Sequence, residues 1–187
     1  MTMRLRIFTG IISILLFASF AHSDPLKDAV DSLFARAETE SLKMELPLLG
    51  ADAIPYIFEY TGISGKPEEK LAKDVIVSFG DDAIPEMLSQ LRTENWVRMW
   101  VASDILIEIG NPLPLEEAIL GEKSEKVICH LLYILEKIGK PSSLRIFRRF
   151  AASKNETVAS KAVSALGTLG DAAVSYTHLT LPTICRV

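Results

Sequence analysis

The chain has 187 residues, 49% of them apolar, and its 24 acidic against 20 basic side chains leave a net charge of −4 at pH 7. That balance argues against a nucleic-acid partner, which needs a clustered basic footprint. The length suffices for a sizeable buried core.

Residues 1–23 combine a short basic start (Arg4, Arg6), an apolar run from Ile7 to Phe20 and no acidic residue, and Ala21-His22-Ser23 puts small residues where a signal peptidase reads. These features predict a secretory signal peptide. The rival reading is an uncleaved membrane anchor, but the run of 14 residues is shorter than the roughly 20 a bilayer requires. Export to the periplasm or the extracellular space is therefore expected, with no stable membrane span after cleavage. Asp24-Pro25 would then open the chain as N-cap and first helical residue, and Leu26, Ala29, Val30, Leu33 and Phe34 fall at helical spacing. An amphipathic capping helix is predicted over residues 24–41, covering the open end of a helical stack.

From Leu42 onward the chain is periodic. Gly50, Gly80, Gly110, Gly139 and Gly170 stand 30, 30, 29 and 31 residues apart, each just after a large apolar residue. Four residues before them lie Leu46, Ile76, Leu106, Leu135 and Leu166, and eight before lie Leu42, Ala72, Ala102, Leu131 and Ala162. These offsets share one helical face with the residue preceding each glycine, the stripe that must be buried. The small third column predicts close approach of two helices, and each glycine reads as a helix C-terminal stop in a left-handed conformation. After the glycine the chain restarts: Asp52-Ala53-Ile54-Pro55, Asp82-Ala83-Ile84-Pro85, Asn111-Pro112-Leu113-Pro114 and Lys140-Pro141-Ser142-Ser143. Asp, Asn or Ser would cap a second helix whose first turn tolerates proline. Each unit is thus predicted to be helix, tight turn, helix, with Pro47 interrupting the first unit. One unit cannot hide its own apolar faces, so neighbours must stack.

These columns carry a family resemblance. Val97-Arg98-Met99-Trp100-Val101-Ala102, running through Leu106 to Ile109-Gly110-Asn111, resembles the bacterial short HEAT repeat, as does Val158 followed by Lys161 to Ala172. The subclass is related to the HEAT-like repeats of phycobilisome lyases. The resemblance covers residues 42–172, about four to five units with the last truncated. It implies an all-α, right-handed α-solenoid of stacked helix-turn-helix repeats about 30 residues long. It also implies adaptor or scaffold surfaces, with second helices lining the concave face. No catalytic residues match across that family, so none is carried over.

Chemistry-bearing constellations are scarce, and no catalytic, metal or cofactor site is predicted. Cys129 sits between Val127-Ile128 and Leu131-Leu132 and reads as a small core residue. His130 beside it is weak grounds for a zinc site. The two also fail as a nucleophile pair, because consecutive helical residues point about 100° apart. Asp81-Asp82 and Glu116-Glu117 are read as caps at a turn and a helix start.

Two features merit a binding hypothesis. Arg145, Arg148 and Arg149 lie at i, i+3 and i+4, opposite Leu144, Phe147 and Phe150, a strip that could grip carboxylates or phosphates. The competing reading is a solvated polar face. Trp96 and Trp100, four residues apart, sit beside the Val97/Val101/Ile105 stripe and could anchor an interface. Packing against the adjacent repeat is the competing reading there.

Val174-Ser175-Tyr176-Thr177-His178-Leu179-Thr180-Leu181-Pro182-Thr183 breaks the pattern and resembles a transposon-end sequencing adapter translated in one frame. Residues 173–187 are therefore expected to be a non-native tail, with the natural protein continuing beyond Ala172. Without Arg4, Arg6 and Arg186 the mature fragment holds 17 basic and 24 acidic residues, about −7. Cys129 is then the single natural cysteine.

The expected function is a non-catalytic scaffold or adaptor exported to the bacterial periplasm or envelope, binding a protein or peptide along the stack. The alternatives are the recognition module of an exported enzyme and, third, a lyase-like HEAT protein.

Overall fold

The structure is a computed structural model that describes residues 24–36, 39–62 and 67–170. The predicted signal peptide (1–23), the adapter-like tail (173–187) and the last two residues of the predicted array lie outside the described residues. Among the described residues every regular element is helical, so the described part of the chain is all-α.

Helix α1 (Pro25–Arg36) starts as its sequence dictates: Asp24 Oδ1 accepts the Leu26 amide at 3.0 Å, and Pro25 occupies the first turn. It is tied to the next segment by aromatic contacts. Tyr60 stacks on Phe34 at 3.8 Å between ring centroids and donates to Asp31 at 2.7 Å, and Tyr56 donates to Asp24. The predicted single helix over 24–41 is shorter than expected, because α2 (Thr39–Glu45) begins within that range. Pro47 then denies the helix an amide, and Leu46–Leu49 tightens into a 3-10 turn.

The remaining units follow the glycine period. Their first helices are α4 (Pro67–Ser78), α6 (Trp96–Ile109), α8 (Glu125–Ile138) and α10 (Glu156–Thr168). Their second helices are α3 (Ile54–Phe58), α5 (Ile84–Gln90), α7 (Leu113–Gly121) and α9 (Leu144–Ala151). The five period glycines are the described residues with positive φ, and no described residue of another type has one. Gly110 and Gly139, both at φ +70°, close α6 and α8 by donating to the Leu106 and Leu135 carbonyls at 3.2 and 3.1 Å. A side chain there would meet the left-handed penalty of about 1–2 kcal/mol.

The two inner columns make the core. Leu46, Ile76, Leu106, Leu135 and Leu166 are all 3% exposed or less, as are Leu42, Ala72, Ala102, Leu131 and Ala162. Each buried Leu or Ile there contributes about 1.5–3 kcal/mol relative to the exposed state. First helices meet in succession: α2 packs on α4, α4 on α6, α6 on α8 and α8 on α10. Each second helix packs against the first helix of the following unit, α9 against α10 most extensively.

Polar contacts repeat the same register. Lys43 pairs with Asp74, Lys73 with Asp104 and Arg92 with Glu122, at 3.7, 3.9 and 3.0 Å, and Asn111 donates to Asp81 at 2.9 Å. Most of these groups are solvated, so each pair contributes about 0–1 kcal/mol and fixes register more than stability.

The capping expectation needs correction. Pro55, Pro85 and Pro114 do occupy first turns of second helices, but Asp52 and Asp82 sit inside 3-10 turns and cap nothing through their side chains. Those turns already satisfy the entry amides, as when Ala53 N–H donates to the Gly50 carbonyl at 3.1 Å. Among the caps predicted for second helices, Asn111 accepts a helix amide, that of Leu113 at 3.2 Å. Side-chain caps instead open two first helices, α6 and α10: Asn95 accepts from Val97 and Arg98 at 3.0 and 3.3 Å, and Asn155 accepts from Val158 at 3.0 Å. Among the described residues no helix is long and apolar enough to cross a membrane.

Candidate functional site

The arginine strip and the tryptophans fall on different helices and do different things. On α9, Ile146 and Phe147 are buried at 2% and 0% exposure, which turns Arg145, Arg148 and Arg149 outward. Arg145, however, is already engaged. Its Nη2 and Nε donate to Glu116 Oε2 at 2.8 and 3.2 Å, while Ser143 Oγ donates to Glu116 Oε1 at 2.8 Å. Glu116, on α7, is 1% exposed.

This corrects the reading of Glu116-Glu117 as a pair of surface caps: Glu117 is exposed, but Glu116 is a buried acceptor with both oxygens satisfied. A carboxylate taken out of water must be paired, and the next unit supplies the partner. Arg145 therefore faces an internal carboxylate, while Arg148 and Arg149 are exposed on the same helix.

Asn95 sets the start of α6 and so the angle at which its tryptophans emerge. Trp96 is 68% exposed and Trp100 41%, while Ile105 on the opposite side of the helix is buried. Trp100 crosses to α8, edge-on to His130 at 5.4 Å and to Tyr133 at 5.5 Å between centroids. It thus packs against the adjacent unit, and Trp96 stays in solvent.

Beside Trp100 opens a pocket of about 140 Å³ lined by Trp100 from α6, Cys129, His130 and Tyr133 from α8, and Lys161 from α10. Lys137 Nζ lies over the Tyr133 ring at 5.5 Å. Lys126 Nζ reaches back to the Thr93 carbonyl at 3.2 Å.

Burial pushes the Cys129 thiol above its usual range, with Lys161 opposing and Glu125 reinforcing that shift. Burial also holds His130 below its usual value, with Lys126 and Lys161 adding repulsion. At neutral pH the pair is thus thiol and neutral imidazole, which is not an activated nucleophile. Cys129 is half-buried and lines the pocket, so it is less of a core residue than its apolar neighbours implied. His130 Nδ1 is buried without a hydrogen-bond partner. Among the described residues no group of three His, Cys, Asp or Glu side chains could hold a metal ion.

The pocket escaped a reading made along single helices. Aligned on the period glycines, however, Trp100, Cys129 and Ser160 share the column ten before, and Val101, His130 and Lys161 the column nine before. Equivalent columns of stacked helices are neighbours in space, and reading across units is the signal that finds it. No family model matches the chain, and no curated protein matches its sequence.

Proposed function

We propose that residues 42–170 form a right-handed α-solenoid of HEAT-like repeats. In this reading the chain is a non-catalytic scaffold exported to the periplasm or envelope, docking a protein or peptide on the face made by its first helices. The observation that carries the reading is the pair Trp96 and Trp100, 68% and 41% exposed, one turn apart beside a pocket. Tryptophan left in water next to a concavity is the signature of an interface anchor. Helix-on-helix packing at one-period intervals supports the solenoid. Export is supported by the composition of residues 1–23 and by a helix that begins with its cap at Asp24, directly after the expected cleavage point.

The test is site-specific photo-crosslinking in the envelope fraction of the source cells. A crosslinker replacing Trp96 is expected to give a discrete protein adduct, reduced by Trp100→Ala. Adducts from position 149 and none from 96 would move the docking surface to the arginine helix. No adduct from either position would contradict the scaffold reading. The mass of the exported chain is expected to begin at Asp24.

A further inference from the structure

At about 140 Å³ the pocket is close to the engineered cavity of about 150 Å³ that holds one benzene ring. It is therefore the size of one aromatic side chain. Its rim offers aromatic partners, since Trp100, His130 and Tyr133 already meet edge-to-face, and a fourth ring can join them in the same geometry. Charge narrows the occupant further. The chain is acidic overall, yet Lys161 lines the pocket, Lys126 acts on His130 and Lys137 covers Tyr133, against Glu125 on the Cys129 side.

We propose that this pocket seats one aromatic side chain from an acidic segment of a partner protein, with flanking carboxylates facing Lys161 and Lys126. The inference rests on the docking role of the first-helix face. The ring enters beside Trp100 and Tyr133. Exposed Trp96, one turn earlier on α6, extends an apolar ledge for the residues next to the anchor. His130 Nδ1, buried and unpartnered, gains a hydrogen-bonding group from the entering segment. The lysines speed and orient the encounter, and the ring supplies the residence time.

Cys129 makes the site its own reporter. In the full chain with Cys185→Ser it is the single thiol, so its alkylation by iodoacetamide reads the pocket directly. Three synthetic peptides are compared: an acidic peptide with a central Phe, the same with Ala for Phe, and the same with Gln for every acid. The Phe-acidic peptide at saturation is expected to slow alkylation at least tenfold, and the Ala peptide to leave it unchanged. The Gln peptide is expected to bind about tenfold more weakly. Trp100→Ala and Lys161→Glu, both at solvent-accessible positions, are expected to raise the Kd of the acidic peptide tenfold or more with helicity intact.

Equal protection by the Ala or Gln peptide overturns the inference, as does no protection by any of the three. Protection by phenylacetate as strong as by the peptide would make this a small-molecule pocket and also overturn it. If position 96 crosslinks to a protein while Cys129 stays unprotected, the pocket inference fails and the docking reading stands. If neither occurs, both fail.

Discussion

On the second-helix side of the chain, Arg145 reaches back 29 residues to Glu116; on the first-helix side, Trp100 reaches forward 30 residues to His130. Both contacts join neighbouring units at nearly the same separation, but they serve opposite ends. The first closes a seam: both carboxylate oxygens of Glu116 are bonded, and a charge that water once held is held by the protein. The second leaves a seam ajar, with a pocket behind Trp100 and a buried ring nitrogen that nothing satisfies. A repeat period therefore sets where two units touch, while residue type at the touching columns decides whether the seam is sealed or offered to a partner.

The contrast can be broken most severely from the closed side. Phe147→Ala, at a position with 0% exposure, is expected to lower stability by about 3–5 kcal/mol in urea unfolding. Arg145→Glu comes next. It sets two carboxylates against each other at Glu116 and is expected to cost about 2–3 kcal/mol, below the figure for a fully buried pair because Arg145 is 71% exposed. Arginine replacement here is thus a stability experiment before it is a binding one. Gly139→Ala forces φ +70° on a residue with a Cβ and is expected to cost about 1–2 kcal/mol by the same measurement.

The open side responds more gently. His130 has a folded-state pKa below 6.5, so the unfolded chain binds its proton more readily. The stability it contributes is complete above pH 6.5 and is lost as the pH falls from there toward the folded value. Comparing urea midpoints of the wild type and His130→Gln across that interval should show the wild type losing more on acidification, and parallel curves would remove the effect. Smallest of all, Trp96→Ala is expected to change stability by no more than about 0.5 kcal/mol in urea unfolding, since the side chain is 68% exposed.

The glycines and the apolar columns were legible in the sequence because each obeys a local rule: a left-handed stop, or a stripe repeating every third and fourth residue. All five glycines take positive φ, and the two inner columns are buried in every unit. The second-helix caps were not legible, because Asp52 and Asp82 look like caps whether or not a 3-10 turn has already used the amides they would bind. Glu116 looked like a first-turn acid because its partners, Ser143 and Arg145, lie 27 and 29 residues away in the next unit. The pocket was hidden for the same reason. Cys129 and His130 carry little meaning on their own helix and acquire it when Trp100 and Lys161 arrive from either side.

The central claim, that equivalent first helices succeed one another along a stack, is tested most directly by pulsed electron paramagnetic resonance distances between spin labels in one column. Labels at Asp104, Asp74 and Met44, each paired with a label at Ser164, are two, three and four units apart. A stack predicts distances that lengthen at every step, by about 8–10 Å per unit, the spacing of packed helices. Distances that level off or shorten as units are added would describe a closed bundle and contradict it.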